Sequence, residues 1–160
     1  MIDTIAQRIT GVVGDRRIKK AKIESVASIK IDQVITEESF VFFPMQVSTD
    51  QQVLVNYEGG SIERAIEEAV EYAQSVGKAL YIKEHPAEGN KNRIRAVLNE
   101  VRSRYENVRV VDNDVPYLIT KADVVVTINS TVGLECRLAG KKVVFLGKSF
   151  YDICTDQQLA

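Results

Sequence analysis

Asn129-Ser130-Thr131-Val132-Gly133-Leu134-Glu135 follows directly on the apolar run Ala122-Asp123-Val124-Val125-Val126-Thr127-Ile128. The pair reads as a buried strand that ends at small polar residues, where a helix starts. A helix beginning there leaves backbone N–H groups and hydroxyls free, which suits an anion such as phosphate. Ser130 and Thr131 equally suit a plain N-cap, and a capping serine can still face a ligand. The only histidine, His85, follows a second run, Ala79-Leu80-Tyr81-Ile82-Lys83-Glu84. Pro86 disfavours helix at His85 and keeps it extended or in a turn. A lone histidine is more often structural than functional. At a ligand edge, though, its imidazole could donate to a phosphate oxygen and stabilise charge on a departing nucleotide. The third stretch is Gln46-Val47-Ser48-Thr49-Asp50-Gln51-Gln52, after the apolar run Phe40–Pro44. It is either a polar loop or one that carries Asp50 to a reaction centre, as base, nucleophile or charge stabiliser. Gln46 and Gln52 could donate amide hydrogen bonds to sugar hydroxyls or to a carboxylate. Glu135 is either a helix-surface residue or an acceptor for ribose hydroxyls.

Elements must bring these stretches together. Phe40–Pro44, Ala79–Glu84, Val108–Val111, Asp123–Ile128 and Val143–Leu146 read as five buried strands. Between them lie helical patterns. Ile62, Ala65, Ile66, Ala69, Val70 and Ala73 recur at helical spacing over Ser61–Val76. Ser61 is a suitable N-cap and Gly77 a suitable stop. A second helix carries Ile94, Val97, Leu98, Val101 and Tyr105. A short one runs from Pro116 to Lys121, and another from Thr131 to Leu138, stopped by Gly140. Tyr57-Glu58-Gly59-Gly60 reads as a flexible loop. Continuous apolar runs alternating with amphipathic helices predict a Rossmann-like α/β domain, a parallel sheet covered on both faces. Right-handed crossovers then place the loops at Gln46–Asp50, His85-Pro86 and Asn129–Thr131 on one edge. A single nucleotide-phosphate pocket is the expectation.

Bulk properties narrow the classes. A chain of 160 residues can bury one real core. Its formal net charge of −1 supplies no global field for nucleic acid. No apolar run approaches the ~18 residues of a membrane span, and Met1-Ile2-Asp3-Thr4 lacks the order of a signal peptide. The expectation is a chain without a Walker loop, its Gly-Lys-Ser/Thr ending missing, which disfavours ATP hydrolysis. One histidine and two unclustered cysteines argue against a catalytic zinc site; Cys136 reads as a buried thiol. The cysteine usage is compatible with a reducing cytoplasm. Residues 1–38 read as an N-terminal arm or interdomain linker and 39–160 as the Rossmann-like domain that carries the expected pocket. In the arm, Ile2, Ile5 and Ile9 form a short apolar stripe. Its basic cluster, Arg16, Arg17, Lys19, Lys20 and Lys22, reads as a solvated face, too interrupted to favour contact with an anionic membrane.

Four stretches carry a family resemblance: Phe42–Gln52, Lys83-Glu84-His85-Pro86, Asn129–Glu135, and Gly140–Tyr151. In order and spacing they resemble the bacterial capsular polysaccharide synthesis proteins, which include the β-Kdo transferases. The resemblance covers roughly Phe40 to Tyr151. It implies a glycosyltransferase of the two-Rossmann-domain (GT-B) type, with CMP-Kdo as donor and this chain as its C-terminal, donor-binding half. The family is similar to bacterial sialyltransferases in placing a His-Pro motif and a serine-rich pair around the CMP phosphate. By that match His85 with Pro86, and Asn129, Ser130 and Thr131, would hold the nucleotide. Asp50 would be the candidate nucleophile of a configuration-retaining transfer, in a loop flanked by Gln46 and Gln52. No bound metal or other cofactor is implied. The implied partners are a glycolipid or oligosaccharide acceptor and an N-terminal Rossmann domain that holds it. The implied location is the cytoplasm, at most peripheral to the inner membrane. Transfer by this chain alone is not expected. Two alternatives stay open: a transferase domain for another nucleotide sugar, such as CMP-sialic acid or a UDP-sugar, and a non-catalytic nucleotide-binding or assembly module.

Overall fold

The structure is a computed structural model that describes residues 28–34 and 37–147. Five strands form one sheet: β1 (Phe40–Pro44), β2 (Ala79–Lys83), β3 (Val108–Val110), β4 (Val124–Thr127) and β5 (Lys142–Phe145). Every pairing is parallel and the order is β3-β2-β1-β4-β5. Five described helices join them: α1 (Gln51–Leu54), α2 (Ile62–Ser75), α3 (Lys91–Arg104), α4 (Val115–Lys121) and α5 (Thr131–Leu138). The predicted five-stranded, Rossmann-like parallel sheet is therefore the fold, with strand limits differing from expectation by a residue or so at an end.

Strand alternation decides which helix covers which face. Val41, Phe43, Leu80, Ile82, Val124 and Val126 point to the face covered by α2 and α3, where they meet Ile62, Ile66, Val70, Ile94 and Leu98. Phe40, Phe42, Tyr81 and Val125 point the other way, onto Leu118 of α4 and Cys136 of α5. Both faces are dry, which is why these strands read as continuous apolar runs. Phe40 and Tyr81 stack with ring centroids 4.1 Å apart. Cys136 is the buried thiol expected, and burial raises its pKa.

The helix limits follow from local chemistry. Ser61 Oγ accepts from the Arg64 N–H at 3.2 Å and starts α2. At its other end Gly77 adopts φ 64°. There the Lys78 N–H donates to the Ala73 carbonyl and the Gly77 N–H to the Gln74 carbonyl, both at 3.0 Å. This is a Schellman closure, and Gly140 repeats it after α5. An added Cβ at Gly77 would meet nothing within 4 Å, so only the left-handed backbone resists substitution. Gly77→Ala should cost about 1–2 kcal/mol, read from the denaturant midpoint.

Two expectations need correction. The stretch 46–52 is not loop throughout, because α1 begins at Gln51 under an Asp50 cap. Nor is Tyr57 part of a free loop. It is 3% exposed, and a Cβ on Gly59 would lie 2.3 Å from its ring, so Gly59 is there to let the chain pass over the aromatic. Burial first, then the neighbouring Glu68 carboxylate, push the Tyr57 hydroxyl above the ordinary tyrosine pKa.

Residues 28–34 run beside the free edge of β3. The Asp32 N–H donates to the Val110 carbonyl at 2.7 Å, and Asp32 Oδ2 accepts from the Val110 N–H at 2.9 Å. Arg102 of α3 donates to the Lys30 carbonyl and to Asp32 Oδ1. The edge is thereby closed to strand pairing. The apolar stripe at Ile2–Ile9, the basic cluster, Cys154 and the end of the resemblance at 148–151 lie outside the described residues. No described helix is long and apolar enough to cross a membrane.

Candidate functional site

Strand order reverses direction at β1: the chain leaves it toward β2 and β3, then returns to β4 on the other side. The loops after β1 and β4 therefore diverge and open a crevice at the carboxyl edge, the usual ligand position in such sheets. Here the crevice is a cleft of about 600 Å³. Gln46, Asp50, Gln52, Lys83, Glu84, His85, Pro86, Asn129, Ser130 and Thr131 all line it, with Pro44, Met45, Val47, Val115 and Val132. Three stretches separated by up to 85 residues thus meet, as the crossover rule predicts. Glu135 does not join them. It is exposed, one turn further along α5 than Thr131, and outside the cleft lining.

Ser130 caps α5, with its Oγ accepting from the Val132 N–H at 3.2 Å. Among the described residues its hydroxyl hydrogen has no acceptor and remains for a ligand, and the Thr131 hydroxyl stands exposed beside it. The helix starts directly over the sheet because residue 133 is glycine. A Cβ there would come within 2.5 Å of the Phe145 ring and 2.8 Å of Thr127 Cγ2.

His85 faces the cleft from the other side of β1. Its Nδ1 accepts from the Ala87 N–H at 3.1 Å. That bond selects the neutral tautomer with the proton on Nε2. The turn after Pro86 thus presents a hydrogen-bond donor without requiring a charged ring. Lys83 pairs with Asp112 at 2.8 Å, and Glu84 with Arg95 at 3.0 Å, so both lie in the cleft wall with partners.

The amides are largely engaged with one another. Gln46 Nε2 donates to Asn129 Oδ1 at 3.2 Å, and Gln46 Oε1 accepts from the Asn129 N–H at 3.3 Å. Asn129 Nδ2 donates to Gln52 Oε1 at 3.0 Å, which also accepts from Asn56 at 2.9 Å. This network ties the ends of β1 and β4 to α1. It leaves one Nε2 hydrogen of Gln46, and the Nε2 group of Gln52, for a ligand among the described residues. Asp50 is exposed at the cleft and caps α1, with Oδ1 accepting from the Gln52 N–H at 2.8 Å. Its second oxygen makes no bond to a described residue.

Sequence reading passed over Glu88. It is 3% exposed, and its carboxylate accepts the Ser48 N–H at 2.7 Å, the Ser48 hydroxyl at 3.0 Å and the Asn90 N–H at 2.7 Å. Burial works to raise its pKa. The bonds from Ser48 and Asn90, with Arg93 nearby, outweigh burial and hold it below the ordinary value. A lowered folded pKa gives stability that is full above the unfolded value of about 4.3 and is lost as pH falls through the folded pKa. Acid unfolding should therefore be steeper below about pH 4 in the native protein than in Glu88→Ala, and paired urea titrations across that range would measure it.

Gly147-Lys148-Ser149 does carry the ending of a Walker loop, but Lys142 stands where its first glycine would be. Among the described residues no three His, Cys, Asp or Glu side chains gather as a metal-binding group.

Residues 3–160 match the family described as capsule polysaccharide biosynthesis proteins. Protein FixF of Sinorhizobium fredii (strain NBRC 101917 / NGR234) is 35% identical over 127 residues, which is 78% of this chain and 30% of FixF. Two solved structures of Thermosulfurimonas dismutans KpsC are similar. The beta Kdo 2,7 transferase has a TM-score of 0.54 at 18% identity, covering 85% of this chain and 42% of that one. The beta Kdo 2,4 transferase has a TM-score of 0.52 at 19% identity, covering 82% and 44%. At such identities the structural likeness shows a shared fold. The chain spans less than half the length of each of these relatives.

Proposed function

Because the chain belongs to the capsule polysaccharide biosynthesis family, we propose that it is the donor-binding half of a GT-B glycosyltransferase, with CMP-Kdo as donor and a lipid-linked glycan as acceptor. The carrying observation is the switch-point cleft, which holds a helix N-terminus at Ser130-Thr131 and the Nε2 donor side of His85 together. A nucleotide phosphate placed there meets the Thr131 N–H and the Ser130 and Thr131 hydroxyls at the start of α5 on one side, the Val132 and Gly133 N–H groups being held by Ser130, and an imidazole on the other. As the sugar departs, charge grows on the phosphate, and these fixed donors need no rearrangement to meet it. Pro86 holds the His85 turn, while Gln46, Asn129 and Gln52 fix the gap between the two strand ends. Asp50, on the same cleft, is the carboxylate for the anomeric carbon. No metal is required for phosphate binding in this arrangement, and chelator should leave nucleotide affinity unchanged. The acceptor and its acid/base group belong to a second Rossmann domain.

Titration of the chain with CMP, UDP and ADP tests the proposal. CMP should bind best. Preference for UDP would point to another nucleotide sugar, and no binding at all to an assembly module. His85→Ala should weaken CMP at least about tenfold, since a hydrogen bond to a charged phosphate contributes roughly 1.5–3 kcal/mol. Its melting temperature should change little, as the half-buried ring sits on a loop. Unchanged affinity with a large fall in melting temperature would assign His85 to structure instead.

A further inference from the structure

Glu88 lies outside the cleft lining, yet it joins the two loops that deliver Asp50 and His85 to it. Ser48 precedes Asp50 by two residues, and Glu88 follows His85 by three. The Glu88 N–H closes the His85 turn by donating to the His85 carbonyl at 3.0 Å. Its side chain then reaches across to the other loop and takes both the N–H and the hydroxyl of Ser48. Arg93 of α3 is the cation facing it, itself paired with Glu63 of α2. Among the described residues each carboxylate oxygen therefore faces a backbone N–H, Oε2 that of Ser48 and Oε1 that of Asn90. A carboxylate answers such a set because it accepts at both oxygens; a glutamine of the same shape must turn its NH₂ toward one of these N–H or O–H donors. Burial raises the cost of that mismatch.

We infer that Glu88 is a positioning residue, a buried clamp that holds the Gln46–Asp50 loop against the His85-Pro86 turn and so sets the alignment of the two walls of the cleft. The inference deepens the nucleotide-sugar proposal and rests on it for its binding readout, though not for its structural one. Glu88→Gln is the test, because it keeps volume and removes only acceptor character. Backbone amide NMR of the whole chain should show the signals of Asp50 and Gln52 displaced as well as those of His85 and Ala87, with the signals of α2 and the sheet retained. CMP affinity should fall at least fivefold with the fold intact. Displacement confined to residues 85–90, with Asp50 and Gln52 unmoved, would overturn the clamp. So would CMP affinity within twofold of the native protein while both loops move. If the native chain binds no CMP, the nucleotide proposal fails, and the amide signals alone still decide the clamp. Should Glu88→Gln not fold, Ser48→Ala removes a single bond from the opposite loop. It must then shift the His85 and Ala87 signals, and their constancy would overturn the inference.

Discussion

Gly133→Val should lower stability by about 3 kcal/mol and abolish measurable CMP binding. Two opposing effects act at this position. Gly133 has ordinary helical geometry, so intrinsic propensity favours almost any replacement, alanine by roughly 1 kcal/mol. Space forbids it: the first added carbon would sit 2.5 Å from the Phe145 ring and 2.8 Å from Thr127 Cγ2. Phe145 is half-buried and can yield toward solvent, at some loss of its contact with Arg137, 5.7 Å above the ring. Thr127 cannot yield, because it is fully buried and β-branched, with a stiff side-chain torsion. Overpacking of this kind costs typically 1–3 kcal/mol, which outweighs the propensity gain even for alanine and more clearly for valine. The relief available is to lift the first turn of α5 from the sheet. That movement carries the Ser130 and Thr131 donors away from the proposed phosphate position, so binding should be lost with stability. A calorimetric scan and a CMP titration on the same variant would check both, with a fall in melting temperature of roughly 10 °C expected. A valine variant with native stability and native CMP affinity would mean that α5 does not need its close seat on β4.

The contrast between Gly133 and Glu88 shows what a sequence makes legible. The sheet could be read because both faces of its central strands are covered, so β1, β2 and β4 are near-continuous apolar runs, and each long helix has its own stripe and stops. Ser61 and Gly77 mark α2 by chemistry that acts within four residues. The edge location of His85 and Ser130 followed from crossover handedness alone. Glu88 could not be read, since a glutamate in a turn is ordinarily solvated. Only the fold brings Ser48, 40 residues away, over its carboxylate. The Gln46–Asn129–Gln52 network is hidden in the same way, its members being 77 to 83 residues apart. Helix α1 escaped for a different reason: four residues are too few to show a helical period. The resulting ambiguity falls on Asp50, whose carboxylate looks the same from sequence whether it caps a helix or attacks a sugar.

Asp50→Asn should separate those two roles and abolish sugar transfer in a protein that joins this domain to the second Rossmann domain proposed to hold the acceptor. Asparagine caps a helix about as well as aspartate, so the bond to the Gln52 N–H and the start of α1 survive. What the amide lacks is a nucleophilic, negatively charged oxygen. If the free Asp50 oxygen forms the bond to the anomeric carbon, the asparagine variant should lose transfer by several orders of magnitude, with CMP affinity near normal because the proposed phosphate contacts are those of α5 and His85. Asp50→Ala should lose transfer equally. It should also lose about 1 kcal/mol from the missing cap, a cost that asparagine avoids. The isolated chain should transfer little even with Asp50 intact, since the proposed division of labour gives the acceptor to a second domain. Transfer measured for both variants beside CMP affinity and melting temperature gives three distinguishable patterns. Loss in both variants with normal CMP binding assigns the chemistry to Asp50. Rescue by asparagine assigns it to the cap of α1, whose amide network then shapes the cleft. Full transfer by the alanine variant removes Asp50 from the reaction, and substantial transfer by the isolated chain would show that the acceptor is oriented by the cleft itself.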